Sequence, residues 1–210
     1  MARAVAFATA IGIGISLGLA ACTGSGGADP TAATTAATSR QPPTPSPSPT
    51  PVPSPAPTGA LPDVTVAPTA PAALDGPPTE ANAAAVAEYF MSLFPYMYAT
   101  GDTSEWERLS GKNCGYCAGT LADLREKVAA GRHAVGGNFE FEASGSSTFD
   151  GDEYFAWVVF IQHPSRALDE SGELVEGFPE TSRVRAQVSL IWDGAGWTVD
   201  GVDPRKLGTL

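Results

Sequence analysis

Histidine, cysteine and basic residues are scarce in this 210-residue chain. A zinc site needs four ligands, and the two histidines, His133 and His163, show no ligand spacing, so we expect no metal and no cofactor. The 12 basic residues face 23 acidic ones, which gives a net charge of −11. Nucleic acid should therefore be repelled, and we expect no nucleic-acid partner. No Ser-His-Asp arrangement, phosphate-binding loop or pair of catalytic carboxylates is evident.

Proline divides the chain into regions, because 15 of the 19 prolines lie between Pro30 and Pro78. We interpret residues 22–78 as a disordered Pro/Thr/Ala-rich tether. Its densest part, residues 41–57, favours polyproline II and would span about 50 Å as a spacer. Recognition of this segment by an aromatic groove and O-linked glycosylation stay open as alternatives. Residues 79–210 hold 20 acidic and 10 basic residues and are expected to form one globular domain.

The first 21 residues are predicted to be a secretion signal. Arg3 precedes an uncharged apolar run from Ala4 to Ala21, which is typical of a signal peptide. A transmembrane anchor is the alternative, because about 18 apolar residues just reach spanning length. Glycines within the run, and its end in small residues before Cys22, favour the signal peptide.

Leu19-Ala-Ala-Cys22 resembles the lipobox of bacterial lipoprotein precursors. The resemblance implies a diacylglyceryl group on the Cys22 thiol, cleavage before Cys22, and acylation, for example by palmitate, of the new amino terminus. Two acyl chains hold a protein stably in a bilayer. The expected partner is therefore the cytoplasmic membrane, and the expected location is its extracytoplasmic face.

The globular domain begins with a pattern that predicts a helix. Thr79 is suited to cap it, and Pro95 should kink or loosen it. Its apolar residues recur at spacings of four, three and four and share one face: Val86, Phe90, Leu93 and Met97.

Two further helices are expected. Residues 102–105 have the pattern of a capping box and would open a short helix with Trp106 and Leu109 facing inward. Asn113 is expected to cap the third helix, and Gly131 to end it. One face of that helix is formed by Cys117, Leu121, Leu124 and Val128.

Alternation of apolar and polar residues then predicts an antiparallel sheet. Four strands are expected, over residues 138–143, 154–161, 183–192 and 197–202. Residues 154–161 are apolar on both faces and should form a central strand. Asp150-Gly151 and residues 193–196 supply tight turns, and residues 163–181 are expected to form a loop. The fold class is α+β, with three helices covering one face of the sheet.

The phrase Tyr98-Ala-Thr-Gly-Asp102 and the closing segment 188–202 resemble the NTF2-like (SnoaL-like) superfamily. The lipobox, tether, Ala-Thr-Gly-Asp and later Cys-x-x-Cys together resemble an uncharacterised family of actinobacterial lipoproteins, over essentially the whole chain. The resemblance implies an NTF2-like cone, with three amino-terminal helices on a curved antiparallel sheet of about four strands. Three helices before any clear strand depart from many NTF2-like domains.

Cys114 and Cys117 can form a structural disulfide in an oxidising compartment. A redox role is the alternative, because a helix amino terminus favours a thiolate, and the same Cys-Gly-Tyr-Cys occurs in thioredoxin-fold isomerases. The strand and cis-proline loop of that fold are not evident.

NTF2-like enzymes carry a pocket between the helices and the concave sheet. The resemblance makes six residues candidates to line it: Tyr89, Tyr96, Tyr98, Trp106, Trp157 and His163. For each of them, core packing is the simpler interpretation. Asp102 is interpreted as a helix cap, and residues 150–153 as a hairpin turn instead of a calcium loop.

The leading functional hypothesis is a non-enzymatic binding or interaction module at the cell envelope. It would bind a small molecule, a cell-wall component or another envelope protein, through the cone or through the acidic segment 169–180. A thiol-disulfide oxidoreductase acting through Cys114 and Cys117, and an NTF2-like isomerase or hydrolase, are the alternatives.

Overall fold

The computed structural model describes residues 60–210. The predicted signal peptide, Cys22 and most of the predicted tether lie outside these residues. The folded part begins earlier than the sequence indicates, because Ala73 and Leu74 form a short 3-10 turn and are buried in the core. The indole of Trp197 donates to the carbonyl oxygen of Ala73 at 3.0 Å. The end of the segment assigned to the tether is thus part of the domain.

Three helices follow: α1 at Glu80–Thr100, α2 at Ser104–Leu109 and α3 at Gly115–Ala129. Thr79 caps α1 as predicted, since its hydroxyl accepts from the Asn82 amide at 3.2 Å. Helix α1 contains Pro95 and is helical on both sides of it. All four residues of the predicted apolar face of α1 are buried.

The caps of α2 and α3 differ from the prediction. The Asp102 carboxylate accepts from the Ser104 amide and hydroxyl, but Glu105 turns to Arg108 and does not complete a capping box. The cap of α3 is Cys114, not Asn113, and its sulfur accepts from the Cys117 amide at 3.1 Å. Gly131 follows the end of α3 with a positive φ, as expected.

The large sheet is antiparallel, with strand order β2-β3-β6-β7. Its strands are β2 at Phe139–Asp150, β3 at Glu153–Gln162, β6 at Ser182–Trp192 and β7 at Trp197–Thr209. The predicted strand at residues 154–161 lies within β3 and is central, because it pairs with both β2 and β6. Its inward residues Tyr154, Ala156, Val158 and Phe160 are buried.

A second sheet takes two of its three strands from the segment expected to be a loop. It has the order β1-β4-β5, with β1 at His133–Gly136, β4 at Ser165–Leu168 and β5 at Leu174–Phe178. The prediction of a loop over residues 163–181 was therefore wrong. Every residue of β5 is exposed and β4 buries only Ala167, so neither strand shows the alternation of burial by which a strand is predicted from sequence.

The helices pack on one face of the large sheet, through contacts of α1 with β2 and β3 and of α3 with β7. This confirms the α+β class and the predicted arrangement of three helices on an antiparallel sheet of four strands. Helix α3 is less buried than predicted. Cys117 and Leu124 are buried together with Thr120, which lay outside the predicted face, whereas Leu121 is half-buried and Val128 is 49% exposed.

Candidate functional site

Aromatic side chains fill the space between the helices and the large sheet. The rings of Phe90 and Trp106 stack with centroids 4.1 Å apart, and those of Phe139 and Phe160 stack at 4.2 Å. Phe94 lies between the two pairs, 6.4 Å from Trp106 and 5.9 Å from Phe139. The middle of this interface is therefore packed, and a space for a ligand lies at its margin.

That space is a cleft of about 240 Å³ where α1 and α3 meet the small sheet. Phe94, Pro95 and Tyr98 of α1 line it, with Asp123 and Lys127 of α3. The rest of its lining comes from Arg132 and from β1, β4, β5 and their neighbours: His133, Ala134, Gly136, Gly137, Gln162, Ser165, Arg166, Ala167 and Phe178. Segments far apart in the sequence thus form one concave surface.

One side of the cleft carries a hydrogen-bonded triad. Asp123 accepts from the Tyr98 hydroxyl at 2.6 Å and from the Lys127 ammonium at 2.7 Å. The bond from Lys127, and then that from Tyr98, lowers the pKa of Asp123. Burial, followed by the bond to Asp123, raises the pKa of Tyr98. At neutral pH Asp123 is therefore an ionised carboxylate that already accepts two hydrogen bonds. Tyr98 is protonated and donates one of them.

Two arginines among the lining residues are not engaged in this way. Arg132 and Arg166 form no ion pair with any of the described residues. Nε of Arg166 is buried and has no hydrogen-bond partner within residues 60–210. Such a buried donor is costly to leave unpaired. The described part of the chain therefore leaves Arg166 incompletely paired.

Cys114 and Cys117 form the predicted disulfide, with their Cα atoms 5.2 Å apart. Each residue is only 1% exposed. The Trp106 indole donates to the Cys117 carbonyl at 3.2 Å and closes this part of the core. Thiol exchange needs an in-line approach to a sulfur atom, and this packing leaves no room for it.

Among the six residues that the family resemblance pointed to, Tyr98 alone lines the cleft. The Tyr89 hydroxyl lies 3.3 Å from Glu105, beside a shallow groove between α1 and the segment before it. The Tyr96 hydroxyl donates to Asp102 at 3.0 Å on the surface. Trp106 lies in the core.

The remaining two candidates lie away from the cleft lining. The guanidinium carbon of Arg185 is 5.4 Å from the ring centre of Trp157. Nε2 of His163 is 3.1 Å from a Glu140 oxygen in an exposed pair. The structure therefore does not bring the six residues together.

Several cleft residues were not singled out from the sequence, chiefly Phe94, Arg166 and Phe178. Phe94 lies one position from the predicted face of α1. Arg166 and Phe178 fall in the expected loop, where neither periodicity nor a motif marks them. Only a prediction of the small sheet would have drawn attention to them.

Two features are absent from residues 60–210. No helix in this part is both long and apolar enough to cross a membrane. No three histidine, cysteine, aspartate or glutamate side chains in it are grouped closely enough to hold a metal ion.

Solved structures with similar folds share little sequence with this chain. The intermembrane space region of the chloroplast protein ARC6 is 9% identical, with a TM-score of 0.44, over 59% of this chain and 96% of that one. An uncharacterised protein with a cystatin-like fold from Caulobacter vibrioides is 10% identical, with a TM-score of 0.39, over 58% and 87%. A putative scytalone dehydratase from Novosphingobium aromaticivorans is 10% identical, with a TM-score of 0.42, over 59% and 83%.

No curated protein matches the chain significantly. Residues 62–203, which make up more than half of the sequence, match the profile of a family of unknown function, DUF6318, and the protein belongs to this family.

Proposed function

We propose that this protein is a lipid-anchored, non-enzymatic binding module on the extracytoplasmic face of the cytoplasmic membrane. Its ligand is a small molecule that occupies the cleft between α1, α3 and the small sheet. The cleft is the observation that carries the proposal. Its walls include the rings of Phe94, Pro95 and Phe178, and its polar groups converge from three elements, which is the usual composition of a ligand site.

The anchor is supported by the sequence of residues 1–22. Leu19-Ala-Ala-Cys22 follows an uncharged apolar run, and the proline-rich residues after it supply reach between a membrane and the domain. A module held in this way meets its ligand beyond the membrane surface. A disulfide at Cys114 and Cys117 is in keeping with an oxidising location.

The side chains in the cleft favour binding over catalysis. A general base must be free to take a proton, but Asp123 already accepts from Lys127 and Tyr98. The raised pKa of Tyr98 keeps its hydroxyl protonated at neutral pH. The burial of Cys114 and Cys117 likewise weighs against the oxidoreductase alternative.

Replacing Cys22 tests the anchor. The full precursor and its Cys22→Ala variant would be expressed in a bacterium that processes lipoproteins, and membranes and soluble fractions would be compared. We expect the unaltered protein in the membrane fraction, with a diacylglyceryl mass increment on Cys22, and the variant without either. An unlipidated protein that keeps residues 1–21 would overturn the anchor.

The cleft is tested by filling it. The mature chain with Cys22→Ser has no lipid attachment point, and its amide spectrum would be recorded with a library of small fragments of varied charge. Ala134→Phe places a ring in the cleft, whereas Ala118→Phe places the same ring on the exposed side of α3. We expect shifts around β1 and β4 that only Ala134→Phe abolishes. A library that produces no shifts there would contradict the binding function.

A further inference from the structure

We propose that residues 51–57 of this chain dock, in the polyproline II conformation, on the face of the large sheet opposite to the helices. The surface that receives them is a row of four apolar side chains of β3, which we call the outer stripe: Phe155, Trp157, Val159 and Ile161. The outer stripe is distinct from the cleft, and the docking does not depend on a ligand in the cleft.

The outer stripe is an apolar row that no helix covers in the part of the chain that the structure describes. The helices pack on the other face, where the alternate residues of β3 are buried, so the side chains of the outer stripe point away from them. Phe155 is 46% exposed, and Phe149 of β2, 68% exposed, meets it edge to face with the ring centroids 5.1 Å apart. A contiguous exposed apolar row of this kind marks an interaction surface.

The polar groups around Trp157 are unused hydrogen-bond donors. Its indole nitrogen donates to no acceptor among residues 60–210, and it is open to solvent, because the buried side-chain atoms without a partner there are Asn138 Oδ1 and Arg166 Nε. The guanidinium carbon of Arg185 lies 5.4 Å from the Trp157 ring centre, and Arg185 forms no ion pair with the described residues. Gln187, opposite Trp157 in register, is exposed.

Residues 51–57 have the complementary chemistry. Their sequence, Pro-Val-Pro-Ser-Pro-Ala-Pro, contains four prolines that lack an N–H group. In polyproline II the carbonyl oxygens have no internal partner, so they are free to accept from an indole or a guanidinium. Aromatic surfaces bind such segments through their apolar rings. Residues 41–60 carry no charged side chain, so docking would bring no further negative charge to an acidic domain.

The chain enters the domain within reach of the outer stripe. Leu61 lies beside the end of β3, since a Cβ on Gly136 would be 2.8 Å from the Leu61 Cβ and 2.8 Å from the Pro164 carbonyl oxygen. Residues 58–60 connect Leu61 to the docking segment and can span about 13 Å. The outer stripe covers six residue steps of β3, about 20 Å. Residues 51–57 in polyproline II span about 22 Å, which matches it.

The direction of the docked segment has a consequence for the cleft. Followed back from Leu61, the segment would run from the end of β3 to its beginning, and it would leave the domain near the turn at Asp150-Gly151. Gln162, at the end of β3, is part of the cleft lining. The chain that continues to the proposed anchor would thus start at the opposite end of β3 from the cleft.

Matched proline substitutions test the docking in the mature chain with Cys22→Ser, which has no lipid attachment point. One variant replaces four prolines of the docking segment by serine: Pro51, Pro53, Pro55 and Pro57. The control replaces four prolines that precede it: Pro43, Pro45, Pro47 and Pro49. The indole N–H resonance of Trp157, assigned with Trp157→Phe, is recorded by NMR. We expect this resonance to move in the first variant and to stay in place in the control.

A second pair of variants tests the sheet. Phe155 and Phe178 are 46% and 47% exposed, but Phe178 belongs to the small sheet. The ring currents of the outer stripe should shift the methyl resonances of Val52 upfield. We expect Phe155→Ala to abolish this shift and Phe178→Ala to preserve it, while circular dichroism shows that both variants are folded.

Each outcome supports or overturns the docking. A Trp157 resonance that moves in neither proline variant, or equally in both, would overturn it, as would a Val52 shift that survives Phe155→Ala. An intramolecular contact is independent of protein concentration, so shifts that persist on dilution support it. Shifts that disappear on dilution would show that the segment of a second copy occupies the outer stripe, and would overturn docking within one chain. Fragment binding in the cleft is measured separately and is unaffected by any of these results.

Discussion

The hydroxyl of Tyr98 lies 2.6 Å from Oδ2 of Asp123, so one hydrogen bond joins α1 to α3 beside the cleft. Tyr98→Phe removes that bond, and we expect the free energy of unfolding at pH 7 to fall by about 1 kcal/mol. Tyr96→Phe is the matched control, because its bond to Asp102 lies on the exposed surface and should contribute less. Urea unfolding of the three proteins measures the difference, and equal losses would contradict it.

The same bond predicts a pH dependence. The bond from Lys127, and then that from Tyr98, lowers the pKa of Asp123 in the folded protein. The resulting stabilisation is present above the unfolded-state pKa of this carboxyl. It is lost as pH falls through the folded-state pKa. In Tyr98→Phe the pKa of Asp123 should rise, and stability should depend less steeply on pH in the acidic range. Carboxyl carbon shifts in an NMR titration report this pKa. An unchanged value would show that Lys127 alone determines it.

The buried disulfide should be inert. Because Cys114 and Cys117 are each 1% exposed, we expect a reduction potential below about −300 mV, measured by equilibration with thiol buffers. The double variant Cys114→Ala, Cys117→Ala should lose about 2 kcal/mol of stability, as expected for so short a loop. A potential near −200 mV, with little loss of stability, would instead revive the oxidoreductase alternative.

The residues before α1 should stabilise the domain. Leu74 is 9% exposed and belongs to the core, so Leu74→Ala should lower the free energy of unfolding by about 2 kcal/mol. Val66 is 74% exposed, and Val66→Ala should change it by about 0.5 kcal/mol or less. If thermal or urea unfolding showed the two substitutions to be equivalent, this segment would not be part of the folded unit.

Gly145 of β2 lies opposite Trp157 of β3, and its lack of a side chain leaves room for the indole. A Cβ at this position would be 2.8 Å from Cζ2 of Trp157. Gly145→Ala should therefore displace the indole, change its fluorescence and cost about 1 kcal/mol. Gly119→Ala is the control, because a Cβ there meets nothing within 4 Å and the substitution suits a helix, so it should stabilise by about 0.5 kcal/mol or more. Unchanged emission from Gly145→Ala would contradict the crowding.

The periodicity of apolar residues predicted the helices and strands that bury one face in the core. The apolar residues of α1, such as Phe90, and the alternation through β3 and β6 are strong because the core requires them. The cap of α3 was assigned one residue early, because asparagine is the commoner cap and the disulfide instead places the Cys114 sulfur at the helix end.

The small sheet and the cleft could not be predicted in this way. In its three strands, Gly136 and Ala167 are the buried residues, so little apolar periodicity is imposed on them. The cleft joins Phe94 to Arg166 and Phe178, which are more than 70 positions away in the sequence. A contact across such a separation leaves no local pattern.

Because stacked rings fill the space between the helices and the large sheet, the proposed binding site lies apart from the side chains that stabilise the domain. Side chains of β5 can change without opening a void beneath them, since every residue of this strand is exposed. A change of ligand in the proposed site would therefore not require a change in the core.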